Sequence, residues 1–221
     1  MYLPASFREN RLPVLHDTIA RMGFATLVTS GPDGLVATHL PMYVEPAEGP
    51  MGTLYGHVAR ANPQWKELAG SGEALVTFVG PDAYVSPSYY PSKPIAGKVV
   101  PTWNYVAVHA YGKAEAIEEP APLLEIVTRL TDAHEAGRAE RWSVSDAPES
   151  YVQGLLRAIV GIRIPISRIE GKWKLSQNRS PEDAAGVIAG LSLSEHGNER
   201  ATAEAMKALG TPADPAGTVR R

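Results

Sequence analysis

The chain has 221 residues, 44% of them hydrophobic, with 21 Lys and Arg against 24 Asp and Glu, a net charge of −3 and an isoelectric point near 6.1. That balance provides no global basic surface, so any nucleic-acid role must rest on local clustering. Cysteine is absent, which excludes disulfides, thiolate metal sites and iron–sulfur clusters; no apolar run is long enough for a membrane span, and MYLPASFREN lacks the apolar stretch of a secretory signal, so a cytoplasmic protein without a membrane partner is expected.

Periodicity sets out the elements in chain order. MYLPASF reads as an extended arm. Leu12, Leu15, Ile19 and Met22 recur at helical spacing, with Asn10 as the cap, Pro13 in the first turn and Gly23 as the stop. Ala25–Ser30 and Leu35–Val44 read as a hairpin around GPDG, and Thr53–Val58 as a further strand. Asn62 caps a short helix that opens at Pro63 and ends at Gly70 or Gly72. Glu73–Gly80 is a strand closed by a PDA turn. From Thr102 to Ile117 the alternation predicts one continuous strand, with Trp103, Tyr105, Ala107, His109 and Tyr111 on one face and Asn104, Val106, Val108 and Ala110 on the other.

After Glu118 the period changes. Pro120 opens a helix to about Ala136, and a second short helix follows from about Pro148 to Leu156. Ile159–Ile169 is strand-like. In GKWKLSQNR a continuing strand would point Lys172, Lys174 and Ser176 one way and Trp173, Leu175 and Gln177 the other. Ser180 caps a helix that starts at Pro181 and ends at Leu191; Gly197–Leu209 is a weaker helix, and TPADPAGTVRR a tail expected to be disordered. Helices inserted between about six strands, without one-for-one alternation, predict a mainly β, α+β chain: an antiparallel barrel with peripheral helices. The expected domain covers residues 1–191, with 192–221 as an appendage.

Three stretches carry chemistry. Tyr84–Asn104, YVSPSYYPSKPIAGKVVPTWN, holds four aromatics, four prolines and two lysines. Aromatics beside Ser, Thr, Asn and Lys suit a flat, conjugated, phosphate-bearing ligand; the alternative is a proline-rich surface loop whose aromatics plug the core. GHVARANPQW places His57, Arg60 and Asn62 where a strand gives way to a helix N-terminus, either as an anion site or as a solvated arginine and a capping asparagine. GKWKLSQNR gathers Lys172, Lys174 and Arg179 around Trp173 and Gln177, as an anion site or as a charged edge strand. His39, His57, His109 and His134 show no metal-binding spacing, neither GxGxxG nor a P-loop occurs, and Ala203–Leu209 is too short for a helix-turn-helix, so no metal is expected.

Taken together, MYLPASF, HVARANPQW, GPDAYVSPSYYPSK, VPTWNYVAVHAYG and RAIVGIRIPISRIEGKWKLSQNRS closely resemble the PaiB-like family of FMN-binding negative transcriptional regulators, from Met1 to about Leu191. Tyr89 stands where that family usually has Trp. The resemblance implies a split-barrel flavin-binding fold like that of pyridoxamine phosphate oxidases, a homodimer, and non-covalent FMN at the subunit interface. Given that cofactor, Arg60, Lys93 and Lys174 are the expected phosphate cations, with Asn62, Ser86, Ser88 and Thr102 as neutral donors. Trp103, Tyr90, Asn104 and Gln177 are assigned to the isoalloxazine by stacking or hydrogen bonds, and His57 and His39 lie on candidate pocket strands.

The long strand from Thr102 and the GKWKLSQNR segment are the expected dimer surface. Fold and cofactor leave the activity open between a flavin-dependent oxidoreductase and a flavin-sensing negative transcriptional regulator. The alternative is a haem-binding or haem-degrading split-barrel protein that uses His57 or His196. Direct DNA binding is not expected: it would need a patch built from Lys172, Lys174 and Arg179, reinforced by Arg163 and Arg168.

Overall fold

A proline-limited turn opens the chain. In the computed structural model, which describes residues 1–32, 34–68, 70 and 72–210, the expected extended arm winds into a 3-10 turn at Ala5–Phe7, with the Phe7 N–H donating to the Pro4 carbonyl at 3.0 Å. The tail expected to be disordered, 211–221, lies outside the described residues.

The strands are β1 (Arg8–Glu9), β2 (Phe24–Gly31), β3 (Gly34–Glu45), β4 (Thr53–Ala59), β5 (Ala74–Val85), β6 (Thr102–Gly112), β7 (Glu115–Ile117), β8 (Ile159–Pro165) and β9 (Arg168–Lys174). The helices are α1 (Leu12–Met22), α2 (Gln64–Glu67), α3 (Lys93–Ala96), α4 (Pro120–Glu135), α5 (Glu149–Leu156), α6 (Pro181–Ser192) and α7 (Gly197–Gly210). Among the described residues nine strands, rather than about six, form one sheet in the order β1-β9-β6-β5-β2-β3-β4-β8-β7. The chain divides into two units, and strands β5, β6 and β9 each contribute residues to both.

The first unit comprises Met1, Glu9–Val79 and Ala107–Gly171. Its ladders are antiparallel: β2 meets β3 from Phe24↔Pro41 to Gly31↔Gly34, and β4 meets β3 through Met42↔Gly56 and β8 through Gly56↔Ile162. Alternation buries Ala25 and Leu27 of β2, Leu40 and Met42 of β3, Leu54 and Val58 of β4, and Val160, Ile162 and Ile164 of β8. Helix α1 adds Leu15 and Ile19 to this core, and α4 adds Leu123, Ile126 and Leu130. Helix α1 is capped by Arg11, not Asn10, because the Glu9 carboxylate accepts the Arg11 N–H at 2.8 Å and its guanidinium at 2.6 Å, holding Arg11 at the entry. Helix α2 starts one residue later and ends earlier than the sequence predicts, although Asn62 Oδ1 still accepts the Gln64 N–H at 3.0 Å.

Two long predicted strands are broken. The stretch 102–117 divides at Lys113 into β6 and β7, and β7 pairs with β8 through Ala116↔Ile162. Gly112 is the reason: a Cβ there would lie 2.2 Å from the Pro165 carbonyl oxygen, so only glycine permits this approach. The stretch 159–169 likewise divides into β8 and β9 around Ile166, whose N–H turns away to the Gly52 carbonyl at 3.0 Å.

The second unit comprises Tyr2–Arg8, Gly80–Val106 and Lys172–Arg221, described here to Gly210. Strand β5 runs straight through the predicted PDA turn. Its ladder with β2 covers only Leu75–Thr77, so the N–H missing at Pro81 is not required there. Ser180 caps α6 as predicted, its Oγ accepting the Asp183 N–H at 3.2 Å, and Val187 and Leu191 of α6 are buried with Ala203 and Met206 of α7. Ser176 is not a strand residue: it takes a left-handed backbone at φ 67°, and the chain turns there after β9.

Candidate functional site

Alternation along β9 puts Lys172 and Lys174 on one face. Lys172 is buried, donates to the Tyr2 carbonyl at 3.0 Å and lies 5.5 and 5.3 Å from the ring centroids of Tyr2 and Tyr105. Lys174 Nζ donates to Thr102 Oγ1 at 2.7 Å and to the Trp103 carbonyl. The Arg179 guanidinium sits 4.9 Å above the Tyr90 ring. Among the described residues none of these three cations is ion-paired with a carboxylate. Burial, followed by the like charges of Lys172 and Arg179, holds the Lys174 ammonium below the usual lysine range.

The turn behind this cluster is built from residues that the sequence assigned to the flavin ring. Asn104 is buried, and its Nδ2 donates to Ser176 Oγ at 2.9 Å. Gln177 Oε1 accepts the Leu175 N–H at 2.7 Å while its Nε2 donates to the Trp173 carbonyl at 2.5 Å. Tyr90 is buried, with no hydrogen-bond partner for its hydroxyl. Gln177 thus braces the backbone across the turn and Asn104 holds the Ser176 side chain, while the Tyr90 ring packs under Arg179. Trp103, 54% exposed, presents its ring instead and meets Tyr84, 44% exposed, edge-on at 5.9 Å.

The aromatic loop is anchored, which the composition did not show. Ser92 donates to Asp183 from its N–H at 3.1 Å and its hydroxyl at 2.8 Å. Tyr89 lies in a notch on α6: a Cβ on Gly186 would come 2.2 Å from the Tyr89 carbonyl oxygen, and one on Gly190 2.4 Å from its ring. Two glycines four apart on one helix face were the signal available for this seat. Ser86 and Ser88 bond each other at 2.8 Å, and the Lys93 side chain is exposed at the start of α3.

The GHVARANPQW residues serve the first unit. Arg60 donates to the carbonyls of Arg157 at 2.9 Å and Ile159 at 3.2 Å and pairs with Glu118 at 2.6 Å. Asn62 braces Thr38 at 2.9 Å besides capping α2. His39 Nδ1 is 2.9 Å from Thr26 Oγ1, and its ring stacks near Phe24. His57 is half-buried, its Nδ1 is sealed without a hydrogen-bond partner, and burial lowers its pKa. Arg163 and Arg168 do not extend a free basic patch: Glu48 and Glu115 hold the first at 2.5 and 2.8 Å, and Glu170 and Glu73 the second at 2.7 and 3.4 Å.

Residues 1–168 match the family model described as "Putative FMN-binding domain". The chain belongs to this family. Protease synthase and sporulation protein PAI 2 of Bacillus subtilis is 34% identical over 207 residues, covering 94% of this chain and 97% of that protein, as the resemblance to PaiB-like proteins implied. Two solved structures share the fold at low identity. A conserved hypothetical protein of Mycobacterium tuberculosis aligns with a TM-score of 0.57 at 17% identity, over 82% of this chain and 94% of that one. The FAD and haem binding protein of Mycobacterium smegmatis aligns with a TM-score of 0.56 at 18% identity, over 80% and 78%. The FMN-binding family member therefore has the expected antiparallel split-barrel fold with peripheral helices, and FMN is the family's cofactor. No helix among the described residues is long and apolar enough to cross a membrane.

Proposed function

We propose that this chain binds FMN through the Lys172, Lys174 and Arg179 cluster and works as a flavoprotein of the PaiB-like type. The observation that carries the assignment is the absence, among the described residues, of any carboxylate partner for these three cations. A dianionic phosphate fits such a place, because it supplies counter-charge to an ammonium that burial and, after it, the like charges of Lys172 and Arg179 disfavour. Lys174 is the primary phosphate cation, oriented by its bond to Thr102 Oγ1. Arg179 and the buried Lys172 contribute field. Trp103 and Tyr84 offer ring surface for stacking.

Bound FMN supplies one- and two-electron redox chemistry, and the protein supplies orientation and electrostatics. Asn104 and Gln177 act behind the site by holding the turn, and Tyr90 supplies the ring under Arg179. Arg60 and Asn62 act as framework in the first unit. We further propose a cytoplasmic homodimer, since a two-fold interface builds two equivalent flavin sites. Turnover with a nicotinamide donor and an acceptor separates an oxidoreductase from a flavin sensor: steady-state consumption of the donor marks the enzyme, and FMN reduction without turnover marks the sensor.

The test is the visible spectrum of the purified protein and its titration with FMN. A yellow protein, or saturable uptake of one FMN per chain, is expected; a colourless protein that takes up no added FMN overturns the proposal. Sedimentation of the loaded protein as a monomer would refute the dimer. A Soret band on adding haem, with FMN uptake absent, would favour the haem reading instead.

A further inference from the structure

The first unit has a pocket of about 330 Å³ whose chemistry differs from that of the cation cluster. Val127 and Thr131 of α4, Trp142 of the connector, Tyr151 and Leu155 of α5, and His57 of β4 line it. No Asp, Glu, Lys or Arg contributes to the lining. Its volume lies at the lower end of the usual range for ligand pockets, about 300 to 1,000 Å³. A charged ligand would lose its hydration here without gaining a counter-charge, so the site favours an uncharged molecule. Trp142 and Tyr151 are 49% and 60% exposed and turn aromatic surface toward whatever enters.

His57 adds one directional contact. Its Nδ1 is sealed without a partner, leaving Nε2 as the nitrogen that can meet a ligand. Buried N–H groups without partners are rarer than buried acceptors without partners, so the proton of the neutral ring belongs on Nε2 and the sealed nitrogen is the lone pair. His57 thus adds an imidazole donor to a largely apolar, aromatic-walled lining whose other polar tips belong to Thr131, Trp142 and Tyr151.

We propose that this pocket is a second ligand site, taking a small, uncharged aromatic molecule whose carbonyl oxygen accepts a hydrogen bond from His57 Nε2. A quinone-like compound has this chemistry. The inference requires only that FMN binds outside this pocket.

Calorimetric titration of the full chain loaded with oxidised FMN tests it, with 1,4-naphthoquinone as the neutral probe and naphthalene-1-sulfonate as an anion on the same ring system. One-to-one binding of the quinone is expected, about tenfold or more tighter than the sulfonate. His57→Phe, which keeps a ring but removes the donor, should weaken the quinone by about fivefold to tenfold. Leu155→Arg places a charge at a half-exposed position of the lining and should weaken it similarly. Circular dichroism of each variant verifies folding. Absence of quinone binding, equal binding of both probes, or unchanged affinity in both variants overturns the proposal, as does competition between quinone and FMN, which would assign the pocket to the flavin. Quinone binding retained in a sample that takes up no FMN sustains this site while counting against the cofactor assignment alone.

Discussion

In the first unit, Arg60, Arg129, Arg163 and Arg168 reach carboxylates at 2.6, 2.6, 2.5 and 2.7 Å; in the second, Lys172, Lys174 and Arg179 reach rings, a hydroxyl and backbone oxygens, and no carboxylate among the described residues. The paired arginines cross-link strands and helix ends, and their field is largely neutralised where it arises. The unpaired cations repel one another, which costs stability, and an anion that reaches them recovers that cost. Cations thus serve as framework in the first unit and, in the proposed reading, receive the phosphate charge in the second. What separates the two roles is the carboxylate supplied from elsewhere in the chain: Glu118 for Arg60, and Glu48 with Glu115 for Arg163.

The largest expected effect comes from unseating the loop that carries Tyr89 and Tyr90. Gly186→Ala drives a methyl group into the Tyr89 carbonyl, a backbone atom that cannot swing aside. It should cost about 1–3 kcal/mol or somewhat more as overpacking, read as a lower thermal midpoint and weaker FMN uptake. An unchanged midpoint would show that the loop does not rest on α6.

Next, Lys174→Met removes the cation proposed to bind phosphate and keeps the length of the stem. FMN affinity should fall about 10- to 100-fold, equivalent to about 1.5–3 kcal/mol for a charge-assisted bond, with little loss of stability. Arg60→Ala should do the reverse. It leaves the carbonyls of Arg157 and Ile159 without their donor and should lower stability by about 1–2 kcal/mol, while FMN affinity stays within about twofold. A large FMN defect in Arg60→Ala would erase the distinction between the two units.

The smallest effect is in pH. Lys174 in the folded protein titrates below the usual lysine value of about 10.4. As pH rises through that lowered pKa, the ammonium loses its proton, so FMN affinity should decline, by less than about tenfold, before pH reaches about 10.4. Without FMN the sign reverses: in the same window the unfolded lysine still holds a proton that the folded one has released, so stability gains with pH. Titrations between pH 7 and 10, with Lys174→Met as a flat control, measure both arms.

Periodicity was enough for α1, α4, α6 and the alternation along β6, because each buries one stripe or one face at a regular spacing. The motifs were enough for the family, since membership rests on residue order over 1–168. Local sequence did not reveal the breaks at Lys113 and Ile166, which follow from backbone approaching backbone at Gly112 and from a hydrogen bond to Gly52, a partner more than a hundred residues away in the chain. Nor did it show which polar groups the fold already satisfies. Arg60 and Lys174 are both cations at the end of a strand, and only the tertiary structure brings a carboxylate and two carbonyls to the first and leaves the second beside other cations. Asn104 and Gln177 bear amides suited to a flavin edge, yet the left-handed turn at Ser176 claims both. Side-chain chemistry and spacing are properties of the chain itself, so the sequence determined which groups were available; whether a polar group is already satisfied depends on partners distant in sequence, and that was decided by the tertiary structure alone.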